Sequence, residues 1–502
     1  MSDAPEKLVR GLGLLDATMI VVGSMIGSGI FLTSAGSARF VGAPGWLLMA
    51  WALAGVLTIT GALCCAELAT MWPRAGGQYV FLREAYSPAV GFLFGWTLFL
   101  VIQTGTIAAV AIGFAKFTGV LFPQVSSTSY IFGPITLGRY ALTLSTQQLT
   151  AILVIMLLTW TNMRGLKTGK LVQNSFTFTK TAALLGLVLL GLTLGWKVGM
   201  RDGGAAFTSS WWNPWANGWN PGKVQADLGS IGGLALALLL GRAMVGPMFA
   251  QSAWNNVTFT GSEIRQPGRN LPRALLIGCG LVVALYLLAN LAYVLTLPLA
   301  SIQSAPQDRV AGATMQAILG GPGTIMMAVA IMISTFGCNN GLILAGARVY
   351  YAMARDGLFF RQVGRVNARH VPAVALLAQG LWASLLTLPR AFKTTPLRPG
   401  EDPLGDVYTQ LLDYIVSADL IFYALMVAAV LIMRRKRPEA ERPYRTPGYP
   451  FVPLAYIMLA LLLILDLAYT TFLTAGIGYL IVLTGLPVYL IWRKRSVGAR
   501  HA

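Results

Sequence analysis

Two short polar runs, each inside an apolar stretch, contain the residues best suited to bind a ligand within a membrane. The first, from Val22 to Phe31, reads VGSMIGSGIF and contains three glycines and two serines. The second follows Gly246-Pro247 and runs from Gln251 to Asn256. An unpaired backbone N–H or C=O in hydrocarbon costs several kcal/mol, so an interrupted helix occurs only where it is buried or lines a cavity. Both runs are therefore predicted to be helix breaks at a binding site.

A third candidate is Lys180, which lies between Thr179 and Thr181 in the middle of another apolar stretch. An ammonium at that depth is costly and by default marks a functional position. The alternative is a lysine whose stem snorkels to the membrane interface. Because the nearest end of the stretch is about ten residues away, we favour a functional role, in which Lys180 couples ligand occupancy to closure.

Composition defines the elements that must hold these residues. The chain has 502 residues, 56% hydrophobic and 11% charged, whereas soluble proteins have about a quarter of their residues charged. We predict an all-α integral membrane protein of one domain. Because ~20 apolar residues cross a bilayer as a helix, the apolar segments of the chain correspond to about twelve spanning helices. The predicted segments are 14–37, 44–71, 88–122, 147–163, 171–196, 229–262, 272–297, 322–354, 371–389, 408–433, 452–473 and 475–492.

The two breaks divide this pattern into related halves. They fall in segments one and six, which predicts a 5+5 inverted repeat with helices 1–5 at about 14–196 and helices 6–10 at about 229–433. Helices 11 and 12, at about 452–492, are then peripheral.

The net charge of +19 reports topology rather than a nucleic-acid partner. Most of the 37 Lys and Arg residues fall in loops on one face, including the run from Arg434 to Arg437. By the positive-inside rule, that face and both termini are cytoplasmic. The first ten residues are polar and precede a full span, so we expect no cleavable signal peptide.

The residues do not favour an enzyme or a metal site. Cys64, Cys65, Cys279 and Cys338 all lie in apolar spans and lack metal-site spacing. The two histidines, His370 and His501, lie in predicted cytoplasmic segments. We expect no catalytic residue, metal or cofactor. A channel or a membrane receptor remains the alternative from another class, although two isolated breaks do not predict a continuous polar pore.

Five motifs resemble the amino acid–polyamine–organocation superfamily, closest to its L-type and cationic amino-acid transporter branches. They are VGSMIGSGIF from Val22, CAELATMWPRAGGQYVFLREAY from Cys65, GSEIRQPGRNLPRAL from Gly261, FGCNNGLILAGARVYYAMARDGLF from Phe336 and LIMRRKRPEAERPYRTPGYPFVPL from Leu431. The resemblance implies a permease that transports α-amino acids by alternating access in a cell membrane, plasma or inner. It further implies sodium independence, with Lys180 where sodium-coupled relatives hold an ion, and proton symport or amino-acid exchange. An amine, polyamine or cationic amino-acid transporter of the same fold is the alternative within the family.

An amino acid carries a carboxylate and an ammonium, and the two breaks offer a site for each. Amides of Gly27, Ser28 and Gly29 at a helix start suit the carboxylate. Carbonyls near Met25, Phe249 and Ser252 suit the ammonium. The alternative for the glycines is a packing face between helices. The predicted substrate-binding residues are Met25, Ile26, Gly27, Ser28, Gly29, Ile30, Gln103, Phe249, Ala250, Gln251, Ser252, Ala253, Trp254 and Asn339.

Gating and partner predictions complete the assignment. The resemblance makes Phe249 an aromatic gate, with a lipid- or core-facing aromatic as the alternative, and Lys180 a coupling residue. Arg242, from its position about two turns before the second break, is a candidate to attract a carboxylate or act as an outer-gate partner, with a snorkelling arginine as the equal alternative. Lys116 is interpreted as an interface lysine. At Gln251-Ser252-Ala253 the chain departs from the family's aromatic-Gly-Gly run, which predicts a changed side-chain pocket. Residues 123–146 contain no cysteine, so we expect no disulfide-linked heavy subunit. The absence of an acidic residue around the breaks favours a neutral substrate.

Overall fold

The first broken helix begins at the predicted residue, Leu14, and ends four residues beyond the predicted one, at Val41. The structure is a computed structural model that describes residues 11–164, 169–229, 232–367, 371–393 and 402–498. His370 and His501 lie outside the described residues. The first part of the chain contains α1 Leu14–Met25, α2 Gly29–Val41, α3 Pro44–Met71, α4 Gln78–Ala85, α5 Pro88–Thr97, α6 Gln103–Leu121, α7 Thr146–Met163, α8 Gly169–Leu190, α9 Trp196–Asp202, α10 Ala205–Thr208 and α11 Pro221–Val224.

The remaining helices follow the same pattern of long apolar elements and short connections. They are α12 Gly233–Ala243, α13 Val245–Ala250, α14 Asn256–Phe259, α15 Pro267–Thr296, α16 Leu299–Gln303, α17 Val310–Arg355, α18 Ala373–Leu386, α19 Val407–Lys436, α20 Phe451–Thr470 and α21 Phe472–Gly498. Within the described residues nine helices are long and apolar enough to span a membrane, or ten when α1 and α2 count as one bent span. The helix α7 and the shorter α18 occupy two further predicted segments; the count of twelve stays a prediction.

The outer region contains a small β-sheet that the sequence did not predict. Strands β1 Tyr130–Leu137, β2 Tyr140–Ser145 and β3 Pro389–Ala391 pair antiparallel in that order. Tyr140 lies opposite both Leu137 and Ala391. The sheet leads directly into α7, whose start is closed by a capping box in which Ser145 and Gln148 bond each other's backbone amides.

Local sequence explains where the first span breaks. After Met25 the backbone of Ile26 is extended, and α2 starts at Gly29 with Ser28 as its N-cap residue. The two half-helices are bent by 43° relative to each other. At the far end α2 stops at Gly42, whose φ of +62° suits glycine and whose α-carbon packs on the Trp219 ring.

The second break differs from the prediction that segment six extends to residue 262. Its main helix runs through α12 and α13 and ends at Ala250, and only the single turn α14 follows. Ala253 has a φ of +64°, which ends helical geometry at that residue. Segment eight also differs from the prediction, because α17 already begins at Val310, twelve residues before the predicted start. It includes a non-helical Gly320, two residues before Pro322.

Packing places the two broken spans side by side in opposite directions. The half-helix α2 packs against α12 and α13, whereas α1 contacts α14, α15, α8 and α17. The helix α6 packs against α17, α7, α18 and α19. The last two helices contact α19, α5 and α12 and expose large apolar side chains such as Leu465 and Leu480 on their other faces, as expected for peripheral spans.

Candidate functional site

The first break is buried in the centre of the helix bundle. Ile26, Ser28 and Ile30 have no exposed surface, and Met25 is only 3% exposed. An added Cβ at Gly27 would lie 3.1 Å from the Cys338 sulfur. The predicted residues of this break are therefore enclosed by protein, as interrupted backbone at membrane depth must be.

Side chains from three other helices satisfy the carbonyls of this break. The Lys180 ammonium, fully buried on α8, donates to the carbonyls of Gly23 at 2.5 Å and Ile26 at 2.9 Å. The Tyr286 hydroxyl donates to the Met25 carbonyl at 2.9 Å, and the Cys338 thiol to that of Ser24 at 3.4 Å. Lys180 therefore does not snorkel, and its charge stabilises the carbonyl end of α1.

The backbone N–H groups of Gly27 to Gly29 differ from the carbonyls of this break in their hydrogen bonding. Gly27 and Ser28 lie between the half-helices, and among the described residues their N–H groups have no backbone acceptor. Gly29 opens α2, where the first N–H groups lack an intrahelical partner. Three adjacent donors at a helix start can bind an anion, aided by the helix dipole.

The two breaks meet at Gly29. A Cβ added there would lie 2.5 Å from the Ala250 Cβ and 2.7 Å from its Cα. One turn further along, Gly246 makes an equally close contact with Thr33. Glycine at both positions lets α2 and α13 approach with backbone almost in contact, so the predicted break residues of the two halves lie next to each other.

The second break is held by polar contacts that point in several directions. The Gln251 side chain donates to the Trp51 carbonyl at 3.1 Å, so its amide lies against α3. The Ser252 hydroxyl donates to the Phe249 carbonyl at 2.7 Å. Trp254 stacks on Tyr423 with ring centroids 5.1 Å apart. The Met25 carbonyl, expected to bind an ammonium, accepts one protein donor and keeps one lone pair for a ligand. The Phe249 carbonyl accepts from both the hydroxyl and the backbone N–H of Ser252, so it is already saturated.

Tyr408 joins the breaks to each other and is absent from the sequence-based prediction. Its hydroxyl lies 3.0 Å from the Ser28 hydroxyl, and its ring makes an edge contact with the Phe249 ring at 6.0 Å. Tyr408 is 2% exposed although it is only the second residue of α19. A tyrosine at the start of an apolar span resembles an interfacial anchor, so only the contact with Ser28 reveals its place.

The other predicted residues lie at different distances from the breaks. Gln103 donates to the Leu342 carbonyl at 2.7 Å and ties α6 to α17. Asn339 is 1% exposed, and neither polar atom of its side chain has a partner among the described residues. Asn339 adjoins Cys338, which contacts the first break. An unpaired buried amide costs about 1–3 kcal/mol, so Asn339 is the stronger candidate to meet a ligand.

Arg242 lies near the end of α12, eight residues before α13 ends at Ala250. Its guanidinium donates to Gln225 at 3.3 Å and lies 4.9 Å from the Phe40 ring centroid. Close by, the Asp466 carboxylate packs on Gly241, and within the described chain neither oxygen has a hydrogen-bond donor. Arg242 therefore belongs to a buried polar group between α12 and α20, and the structure does not bring it to the predicted site.

Lys116 corrects a prediction. Its side chain is 4% exposed and its ammonium bonds Asp406 at 2.7 Å, so it is not an interface lysine. The sequence offered no signal for this pair, because Asp406 lies 290 positions away.

Ion pairs close the end of the bundle that the sequence predicts to be cytoplasmic. Arg348 binds both carboxylate oxygens of Glu263 at 3.0 and 3.4 Å. Asp356 accepts from Tyr79 at 2.7 Å and also from Arg83. Burial lowers the pKa of Arg83, but Asp356, Tyr79 and Glu84 together raise it more, so that the net pKa lies above its usual value. These residues hold the inner ends of α4, α14 and α17 together.

Comparison with known proteins agrees with this fold. The family model described as "Amino acid permease" matches residues 12–489. The mouse large neutral amino acids transporter small subunit 2 is 29% identical over 96% of this chain and 81% of the relative. The human Asc-type amino acid transporter 1 is 29% identical over 97% and 84%. The human b(0,+)-type amino acid transporter 1 is 28% identical over 91% and 82%.

The fold and buried breaks describe a multi-pass membrane transporter. The chain belongs to the amino acid permease family. It is an amino acid transporter and not an enzyme, as the sequence predicted.

Proposed function

We propose that this chain is a sodium-independent secondary transporter of neutral α-amino acids that works by alternating access. The observation that carries the proposal is the contact of Gly29 with Ala250, which brings the two breaks together. The free amides of Gly27 to Gly29 bind the substrate carboxylate, and carbonyls of the second break bind its ammonium. Charged hydrogen bonds of this kind contribute about 1.5–3 kcal/mol each.

Lys180 supports sodium independence. Its ammonium is bonded to the carbonyls of Gly23 and Ile26, which are the kind of ligands that a bound Na⁺ would take. Because the Lys180 ammonium occupies this position permanently, a bound sodium ion is not needed to compensate these carbonyls. Lys180 thereby connects α8 to the break whose amides bind substrate, and coupling passes through this contact.

The surroundings of the breaks favour a neutral substrate. The side chains that contact the first break, Lys180, Tyr286, Cys338 and Tyr408, include no carboxylate that would pair with a cationic side chain. Two relatives are named for large neutral and Asc-type substrates, whereas the b(0,+)-type name keeps a cationic amino acid as the alternative.

The cysteines bear on a disulfide-linked partner subunit, and the distribution of charge bears on the location in the cell. One relative is named a small subunit, and in this chain all four cysteines are buried and free. We infer that no disulfide links this chain to a heavy subunit. The positive-inside pattern supports a cell membrane with both termini cytoplasmic.

Counterflow in liposomes tests the proposal. The purified protein is reconstituted in potassium buffer, preloaded with an unlabelled neutral amino acid, and supplied with the labelled one outside. We expect saturable uptake above that of liposomes without protein. This uptake should not change when sodium replaces potassium. Uptake that requires sodium, or flux that does not saturate, would contradict it. An imposed proton gradient then separates symport, which accumulates substrate in empty vesicles, from exchange, which does not.

A further inference from the structure

Three residues form a chain of contacts from a partly exposed carboxylate, Asp406, through the buried Lys116 and Tyr408 to the first break. The Lys116 ammonium, on α6, bonds the Asp406 carboxylate at 2.7 Å just before α19. It lies 5.3 Å from the centroid of the Tyr408 ring. Tyr408 in turn contacts the Ser28 hydroxyl and the Phe249 ring. The chain thus ends on the amide donors that are proposed to bind the substrate carboxylate.

Neighbouring contacts show that this chain lies on the outer side of the breaks. The Lys116 ammonium also contacts the Gln307 carbonyl at 3.4 Å. The next residue, Asp308, pairs at 2.9 Å with Arg39 in the last turn of α2. Since α2 runs from the break at Ser28 to the outer surface, Tyr408 stands between the break and the outer solvent.

The contacts also divide into two groups of helices. Lys116 lies in α6, and Asp406 directly precedes α19. These two helices pack together. Ser28 and Phe249 belong to α2 and α13, which pack on each other. Tyr408 makes the side-chain contact between the groups, and Gly113 supports it from α6, because a Cβ there would lie 2.5 Å from that of Ser28.

We propose that Tyr408 is an outer gate over the substrate site, and that the Lys116–Asp406 pair is the device that positions it. This inference deepens the proposed function, since it rests on Ser28 as part of the substrate site. The Lys116 side chain is 4% exposed, so removing Asp406 leaves a buried ammonium uncompensated. Removing Lys116 releases the partly exposed Asp406 carboxylate from its partner. Loss of either charge therefore frees the start of α19 and lets Tyr408 leave Ser28.

Cys338 provides a reporter for the gate that does not depend on transport. Its sulfur lies beside Gly27 and is 1% exposed. In proteoliposomes without amino acid, a membrane-impermeant thiol reagent is added outside, and modification of Cys338 is followed by mass spectrometry. A Cys338→Ser variant identifies the signal against the three other buried cysteines.

Four variants define the expected result. Lys116→Met and Asp406→Asn raise the rate of Cys338 modification about tenfold, equivalent to about 1.4 kcal/mol of opening. Lys116→Arg keeps the charge and stays near the wild-type rate. Lys197→Met, at an exposed lysine of α9, is the matched control and stays at the wild-type rate.

Tyr408→Phe keeps the proposal testable if the charge variants do not fold. It removes only the hydroxyl that contacts Ser28 and leaves the ion pair in place, and we expect faster modification here too. Wild-type rates in folded Lys116→Met or in Tyr408→Phe would overturn the gate. Because no transport is measured, this outcome is independent of the counterflow result that tests the proposed function.

Discussion

Single residues decide what the first break can bind, and Lys180 is the clearest case. Its place inside an apolar segment was sufficient to predict a functional lysine, because an unpaired ammonium in hydrocarbon is too costly to be accidental. The structure adds the two acceptors, the carbonyls of Gly23 and Ile26. Tyr408 was missed, since its contact with Ser28 spans 380 positions and leaves no local pattern.

The Lys180→Met variant tests the bond between α8 and the break. Methionine keeps most of the apolar stem but leaves two backbone carbonyls unpaired, at about 1–3 kcal/mol each. We expect sodium-free uptake to fall at least tenfold, a factor that corresponds to about 1.4 kcal/mol. Lys197→Met is the control, at an exposed lysine. A wild-type rate and an unchanged pH dependence in Lys180→Met would show that Lys180 has no part in coupling.

Ala253 is a second residue whose backbone can be tested. Its φ of +64° is left-handed, which costs an L-residue about 1–2 kcal/mol. We expect Ala253→Gly to leave the melting temperature unchanged or raise it. The matched variant Ala284→Gly, at an exposed position inside α15, should lower it, because glycine in a helix costs about 1 kcal/mol. Equal losses in both variants would contradict the strain at Ala253.

At the scale of elements, the sequence predicted the apolar segments and the first break. For the second break it predicted the position but not the early end of the helix. Glycines and serines within an apolar run mark Gly27 to Gly29 locally. The end of α13 at Ala250 and the single turn of α14 depend on contacts with α3 and α4, such as Asn255 with Gln78 at 2.7 Å. The hairpin of β1 and β2 is local, across Gly138-Arg139, and was missed, whereas the pairing of β2 with β3 joins residues far apart in the chain and leaves no local pattern.

The close approach of α2 and α13 predicts the effect of one added methyl group. In Gly29→Ala the new Cβ would lie 2.5 Å from that of Ala250, and overpacking of this kind costs about 1–3 kcal/mol. We expect uptake to fall about tenfold or more. Gly280→Ala, in α15 with nothing within 4 Å of the new atom, should transport normally. Normal uptake by Gly29→Ala would argue against the paired breaks.

The outer ion pair predicts an absence of pH dependence. Burial raises the pKa of Asp406, but Lys116 and nearby donors lower it more, so its net pKa lies below the usual value. A depressed pKa gives stabilisation that is present above the unfolded value and is lost only as the pH falls through the folded one. Asp406 thus stays ionised from about pH 5 to 8. Uptake by Asp406→Asn should change in rate but keep the wild-type pH profile over this range; a changed profile would assign proton coupling to Asp406.

The whole molecule is a helical bundle in which two interrupted spans meet at a buried site. Hydropathy predicts such a bundle from composition alone, because every spanning segment must satisfy its own backbone hydrogen bonds. Substrate choice is harder to predict, since the candidate binding residues, such as Asn339 and Phe249, come from several helices. The central claim is that the amides of Gly27 to Gly29 bind the carboxylate shared by all α-amino acids.

Thermal stabilisation of the purified protein tests that claim most directly. The ligands compared are a neutral amino acid active in counterflow, its carboxamide, which lacks the negative charge, and its N-acetyl derivative, which lacks the positive one. Binding at 100 times Kd stabilises the folded state by about 2.7 kcal/mol. We predict a raised melting temperature with the free amino acid and little change with either derivative. Equal stabilisation by the carboxamide would contradict a carboxylate site at the first break.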